Sequence, residues 1–555
     1  MHRSLRRRLL LAALVAALTP LFVNLGGATI WDANEAYYVE TPREMLESGD
    51  YTNPSFNYEP RFNKPVLSYW LVAGLYHMFG VSVATERLAI VASALVMIAV
   101  AFILGRAVSG HVDGGVLAAL GLAVGPRFFM FSRRILIDVA NSAALCAILA
   151  CFVLAELYPS QRRRFLYLMY VAAGIGFLIK GPVAVVLPVI AFVTYLVVQG
   201  ELRRLGDMML VQGAAIVLLI AAPWYVALYA QHGWTYITEF FVGENVDRYL
   251  SPVGPNDARG FLFYLPVLVT DSFPWSVAAL GAVVAAWVQR RRRTSDAVSR
   301  VRLLLLIWSA VIVLFFSLSR SKQDLYIFPV APAVAALGGA FVLELVDALP
   351  GSMRRWFVGT FTALAGVLTA LGALVVVVFV RAGAVYPLDG AFAVGVAAII
   401  GGLAIALLTW RDHRIAAVMS TAATLIVVNW LLALRVLPGF EEYKPVAPLA
   451  AAIASQVHQD DVVAHFDLAL PSMTYYLRRH VEVTVDTEAF REVLHRGQRV
   501  FAVMPASRFE EVRPLFAAAP CVIARHKTAD VKLRNVLAGN APPEVIVAVS
   551  PCPSS

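Results

Sequence analysis

Apolar blocks of about 20 residues, the length a helix needs to cross a bilayer, recur along the chain between short polar loops. They fall near 9–28, 84–105, 114–131, 136–157, 165–180, 182–199, 208–230, 262–288, 303–318, 325–346, 356–380, 391–410 and 414–436. This pattern predicts about thirteen spans. Two loops break the rhythm by their length. In the loop at 31–83, an amphipathic stretch (Tyr37 to Leu46) and an aromatic-rich one (Leu67 to Phe79) read as helices lying in the interface plane. The loop at 231–261 carries Glu239, Glu244, Asn245, Asp247, Arg248 and Arg259 among aromatic residues and prolines.

After about residue 438 the periodicity changes. Apolar runs of strand length (Val462–Phe466, Val481–Val485, Val500–Met504, Cys521–Ala524) alternate with helical patterns at 446–457, 472–479, 487–495 and 507–518. The expected architecture is an all-α polytopic membrane domain over 1–438 and a small soluble α/β domain over 439–555. Composition agrees: of 555 residues, 59% are hydrophobic and only 15% charged, against about a quarter charged in an ordinary globular domain.

The net charge of +9 does not indicate nucleic acid, because the arginines occupy alternate loops: Arg106, Arg162–Arg164, Arg203/Arg204, Arg290–Arg293, Arg354/Arg355 and Arg411/Arg414. That is a positive-inside distribution with the N-terminus cytoplasmic, and an odd number of spans then puts the C-terminal domain on the outer side. Arg3 and Arg6 to Arg8 fit the start of a signal peptide. The following apolar block is long for one and meets Trp-Asp rather than a small-residue cleavage site, so it reads as a retained helix. Cys146 and Cys151 lie within a span as packing residues, whereas Cys521 and Cys552 lie where a disulfide is permitted.

Against this topology, ionisable residues collect on the outer side. Asp32 follows the first helix, Lys64 sits in the first outer loop, Asp138 lies about one turn inside the fourth span, and Lys180 ends the fifth. Arg259 precedes the eighth, and Arg320 and Lys322 join the ninth to the tenth. Charges at span ends are costly and usually face a cavity or a partner. Carboxylates can act as a base and a positioning group, and converging cations can hold a lipid-linked phosphate as charge develops on it. Each residue also has a structural reading: a helix-end carboxylate for Asp32, a pair with Arg133 or Arg134 for Asp138, snorkelling lysines for Lys64 and Lys180. Glu244 and Arg248 could form only a helix-surface pair.

Three strings in the first outer loop go together: Trp31-Asp32-x-x-Glu35-Ala36-x-Tyr38, Arg43-Glu44-Met45-Leu46-x-Ser48-Gly49-Asp50-Tyr51 and Phe62-Asn63-Lys64-Pro65-Val66-Leu67-x-Tyr69-Trp70. With Ile137-Asp138, Gly176-Phe177-Leu178-Ile179-Lys180-Gly181-Pro182 and Ser317-x-Ser319-Arg320-Ser321-Lys322-x-x-x-Tyr326-Ile327-x-Pro329, the first 345 or so residues resemble the bacterial aminoarabinose-to-lipid A transferases and the wider protein O-mannosyltransferase-like group. The resemblance implies a GT-C fold with a periplasmic site in the bacterial inner membrane. It also implies an inverting sugar transfer from a polyprenyl-phosphate donor to lipid A, another glycolipid or glycan, or a protein. Asp32 and Asp138 take the places of the family's acids. Lys64 takes that of a donor-phosphate contact, with Lys180, Arg259, Arg320 and Lys322 as its helpers. Glu35, Tyr38, Asn63 and Glu244 are the expected sugar or acceptor contacts. The chain departs from the lipid A enzymes at Asp32-Ala33-Asn34-Glu35-Ala36, where they have Asp-Glu-x-Arg-Tyr, and at Asn63, where they have Glu. These departures leave the sugar, the acceptor and a divalent metal near Asp32 open; no cofactor is required by the expected chemistry. A transporter or flippase would instead place charges at the midplane of several spans and show a repeat, and the chain shows neither.

Overall fold

The structure is a computed structural model, described here for residues 3–134, 136–251, 259–288, 296–348, 353–382, 386–528 and 539–552. Among the described residues, eight helices are long and apolar enough to cross a membrane: Val83–Ser109, Leu136–Leu157, Leu210–His232, Ala297–Leu318, Asp324–Asp347, Arg354–Phe379, Ala391–Trp410 and Arg414–Tyr443. A ninth unit is bent, with Phe261–Asp271 and Trp275–Val288 meeting at 111°. The other four predicted blocks are also helical. Arg3–Phe22 and Arg162–Lys180 begin in arginine clusters, and Val112–Val124 and Val183–Gln199 have 13 and 17 residues. The two stretches singled out in the 31–83 loop are the helices Ala36–Ser48 and Leu67–Phe79, joined through a short hairpin of β1 (Ser55–Phe56) and β2 (Glu59–Pro60).

Small residues let the helices approach closely, as membrane packing requires where no hydrophobic effect separates helix from lipid. A Cβ on Gly339 would fall 2.6 Å from the Ala118 backbone nitrogen, and one on Gly121 would enter the Trp275 indole. Trp275 donates its ring N–H to the Leu117 carbonyl at 2.5 Å.

At one end of the bundle, the arginine-bearing loops are tied by ion pairs. Arg6 reaches both Asp113 and Asp347, Arg204 reaches Glu156 and Glu201, and Arg302 reaches Glu344. The predicted cluster Arg290–Arg293 lies outside the described residues.

At the other end stands a five-stranded sheet made of β3 (Val462–Phe466), β4 (Glu482–Thr484), β5 (Val500–Pro505), β6 (Cys521–Lys527) and β7 (Glu544–Ser550), in the order β4-β3-β5-β7-β6. β3 runs parallel to β4 and β5, whereas β7 is antiparallel to β5 and β6. The strand pattern read from the sequence lacked β7, which lies inside the sheet with Val545 to Ser550 buried. The helix expected over 507–518 is one short turn, Phe509–Val512, flanked by 3₁₀ turns. Cys521 and Cys552 form a disulfide.

The sheet end grips the 31–83 loop. The Tyr476 hydroxyl accepts the Ile30 N–H at 3.1 Å, and the Asn57 side chain hydrogen-bonds with the Val481 backbone and with Thr474. Glu441 accepts from the Thr29 N–H and hydroxyl.

Candidate active site

A cavity of about 670 Å³ opens among the 31–83 loop, the starts of Leu136–Leu157 and Val183–Gln199, the 238–250 segment and the 315–326 turn. Each wall has a local reason. Asp138 lies in the first turn of its helix, where the helix dipole favours a carboxylate. Lys180 ends its helix because Gly181, at φ +81°, returns its N–H to the Phe177 carbonyl and turns the chain into Pro182. A Cβ at Gly181 would also press on the Phe240 ring at 2.6 Å. The 238–247 stretch winds as a π-helix, a widening often found at functional sites, and it carries Glu244 and Asn245 to the cavity.

The charged lining is paired but not balanced. Lys180 donates to Asp138, and Lys64 to Glu244, which also accepts from Arg248 at 3.0 Å and from Asn63 at 3.2 Å. Arg61 has aromatic partners instead of a carboxylate: its guanidinium lies 3.8 Å from the Tyr37 ring centre and donates to the Tyr69 hydroxyl. Lys64, Lys180, Arg61 and Arg248 thus face only Asp138 and Glu244 among the lining residues, a surplus of two positive charges. Burial pulls Lys64 down to about 8 despite Glu244. Burial would raise Glu244, but Lys64, Arg248 and Asn63 outweigh it and hold its carboxyl below the ordinary value. Asn141, one turn beyond Asp138, is buried in the lining and its carboxamide oxygen has no partner among the described residues. The remaining wall is apolar, with Val183, Val186, Leu187, Phe315 and Phe316. Lys64, Asn63, Tyr38, Asp138, Lys180 and Glu244 therefore converge, as a shared ligand would need.

The other sequence-selected residues lie elsewhere. Asp32 does not line the cavity; its two oxygens accept the Ser472 N–H at 2.7 Å and the Ser472 hydroxyl at 2.6 Å. Two residues on, Asn34 reaches the cavity with an amide in place of a carboxylate. Glu35 is fully buried against Arg87 at 2.7 Å, and Arg87 also holds the carbonyls of Leu25, Ala28 and Thr29. Arg259 lies over the Phe263 ring, outside the lining. Arg320 donates its backbone N–H to the Tyr249 carbonyl, and Lys322 is buried on the Ser319 carbonyl. Among the described residues, no three His, Cys, Asp or Glu side chains converge as metal ligands. Arg61 and Asn141 carried no expected role. Asn141 is i+3 from Asp138, a spacing that puts both on one helix face.

Along the whole chain, the structure matches that of ArnT from Cupriavidus metallidurans bound to undecaprenyl phosphate, with a TM-score of 0.78 over 97% of each chain at 22% identity. The chain has the GT-C fold. Residues 63–226 of this GT-C chain match the family described as dolichyl-phosphate-mannose-protein mannosyltransferase. The chain is 30% identical over 337 residues to the undecaprenyl phosphate-alpha-4-amino-4-deoxy-L-arabinose arabinosyl transferase of Pectobacterium carotovorum, covering 60% of this chain and 58% of that one. It is 32% identical over 370 residues to such a transferase from Sodalis glossinidius, covering 65% and 62%. The aligned part thus spans about three fifths of these curated relatives. The region matched by the family contains the cavity-lining residues from Asn63 to Leu187, which ties the resemblance to the site itself.

Proposed function

We propose that this membrane protein transfers a sugar from a polyprenyl-phosphate donor to a hydroxyl or phosphate of an envelope acceptor, lipid A or another glycolipid or glycan, at the outer leaflet of the inner membrane. The carrying observation is the cavity, where a surplus of two positive charges adjoins an apolar wall. A sugar–phosphate–prenyl diester has one negative charge, and the prenyl phosphate left after transfer has close to two. A site with that surplus favours the departing phosphate over the intact diester, so its cations act on the transition state rather than on binding alone.

In this reading the acceptor oxygen bonds to the anomeric carbon from the face opposite the phosphate. The anomeric C–O bond breaks with its electron pair passing to the phosphate oxygen, and the configuration inverts. Asp138 takes the proton of a hydroxyl acceptor, or of a phosphate acceptor bound as its monoanion, and Lys64, Lys180, Arg61 and Arg248 stabilise the leaving phosphate. Asn141 and Asn63 meet sugar hydroxyls, and the Val183–Leu187 and Phe315–Phe316 wall takes the prenyl chain. Asp32 holds the first loop through Ser472, and Glu35 does so through Arg87. The arginine-tied end is cytoplasmic, and residues 439–555 form a periplasmic domain above the transmembrane domain of 1–438.

The protein mannosyltransferase match over 63–226 supports the same donor chemistry with a protein hydroxyl as the alternative acceptor. The test is reconstitution in proteoliposomes with undecaprenyl phosphate-linked 4-amino-4-deoxy-L-arabinose and lipid A. Sugar-modified lipid A and released undecaprenyl phosphate are expected, and both should vanish with Asp138→Asn. A wild-type protein that neither binds undecaprenyl phosphate nor releases it from any prenyl-phosphate sugar would overturn the proposal.

A further inference from the structure

Among the described residues, the Arg134 guanidinium has no counterpart. It lies four residues before Asp138, outside the cavity lining. Its neighbour Arg133 is fully engaged, donating to the carbonyls of Pro20, Val23 and Asn24. Among the described residues the Arg134 side chain makes no hydrogen bond or ion pair; it lies over Trp31, whose ring centre is 4.1 Å away. Its Nε is buried with no acceptor. The carboxylates whose charge reaches it are committed elsewhere, Glu35 to Arg87 and Asp324 to Arg127. Asp32 is turned onto Ser472.

A second cation shares the same indole. Lys444 Nζ lies 3.8 Å from the Trp31 ring centre, held by Glu441 at 2.8 Å and the Thr29 carbonyl at 2.8 Å. The Asp32–Asn34 segment beside them is exposed, and Asn34 at its far end lines the donor cavity. A buried donor without an acceptor is costly, and a guanidinium fixed on an aromatic face is suited to grip a phosphate with two parallel N–H bonds.

We propose that Arg134, aided by Lys444 on the same Trp31 ring, binds a phosphate oxyanion of the acceptor lipid headgroup other than the group that receives the sugar, outside the lining of the donor cavity. The assignment rests on the transfer reading above. It supplies that reading with a second anion site, so that donor phosphate and acceptor phosphate are held by different cations on either flank of Trp31–Asn34.

The experiment measures equilibrium binding of lipid A, of the same lipid A after enzymatic dephosphorylation, and of undecaprenyl phosphate to the full-length protein in nanodiscs. Wild type is compared with Arg134→Gln, Arg134→Lys and Lys444→Gln. Arg134→Gln should weaken lipid A binding by about 10- to 100-fold, Arg134→Lys by less, and Lys444→Gln by severalfold. Binding of dephosphorylated lipid A should be weak in every variant, and undecaprenyl phosphate binding should stay at the wild-type value. Unchanged lipid A affinity in Arg134→Gln would overturn the inference, as would an equal loss for both forms of lipid A. A parallel loss of undecaprenyl phosphate binding would reassign Arg134 to the donor site or to the fold. Displacement of lipid A by an equal concentration of inorganic phosphate would assign the site to a free anion instead. Arg134-dependent lipid A binding in a protein that binds no undecaprenyl phosphate would uphold this site and defeat the donor assignment separately.

Discussion

Replacing Lys64 by Gln tests the donor-phosphate assignment most directly, because the structure limits what else the change can do. Glu244 keeps Arg248 and Asn63 as partners when Lys64 is gone, so no buried carboxylate is orphaned and the fold should survive. The positive surplus of the cavity falls from two charges to one. A hydrogen bond from a charged donor contributes about 1.5–3 kcal/mol, so the affinity for undecaprenyl phosphate should fall by about 10- to 150-fold. The pH dependence supplies an independent signature. With Lys64 at about 8 in the ligand-free protein, roughly nine tenths carries its proton at pH 7 and roughly one tenth at pH 9. Phosphate binds the protonated form, so wild-type affinity should be steady below pH 8 and fall by about tenfold by pH 9. The ligand does not contribute in that window, since a phosphomonoester loses its second proton near pH 6. The assay is titration of undecaprenyl phosphate into nanodisc-embedded protein at pH 6.5 to 9.5. Lys64→Gln should give a weak and flat profile. A variant that binds within threefold of wild type, or a wild-type profile flat through pH 9, would refute the reasoning.

Three further outcomes follow from the same geometry. Asp138→Asn should abolish sugar transfer while leaving the undecaprenyl phosphate dissociation constant within severalfold of wild type; measurable turnover in single-turnover kinetics would remove Asp138 as the proton acceptor. If Asp32 positions the first loop through Ser472, Asp32→Asn, Ser472→Ala and their double variant should lower transfer by similar, non-additive factors. A loss of about a thousandfold in Asp32→Asn alone, with Ser472→Ala near wild type, would make Asp32 the reacting base. Glu35→Gln leaves Arg87 without its buried partner, a change that costs about 3–5 kcal/mol, so it should lower thermal stability and folded yield; a stable variant altered only in KM would restore Glu35 as a sugar contact.

The spans and the membrane end of the site were legible because their signals are periodic or local. Apolar blocks of bilayer length have few alternative readings, and Asp138, Lys180 and Lys64 stood out as charges where membrane energetics disfavours charge. β7 was not legible for a related reason. An interior strand such as Val545–Val549, buried on both faces, shows no alternation and gives no more than a short apolar run. The aromatic setting of Arg61 left no pairing pattern to read, since its partners Tyr37 and Tyr69 belong to the two stretches that read as helices in the interface plane.

Asp32 shows where linear order stops being informative. Within Trp31-Asp32-Ala33-Asn34-Glu35, polar side chains follow one another closely, and the turn sends them to different places: Asp32 to Ser472, Asn34 to the cavity, Glu35 to Arg87. Ser472 is 440 positions away, so no motif in the first loop records it, and a carboxylate beside a cavity reads the same as one inside it. Arg134 illustrates the converse. Its sequence context suggested only a partner for Asp138, yet Asp138 pairs with Lys180, and what remains is a cation stacked on Trp31 with its buried Nε unpartnered among the described residues. An ion pair expected from proximity in sequence and replaced in space by another partner frees a charge, and a freed charge beside a cavity-lining loop is a stronger argument for a ligand than the same charge already matched.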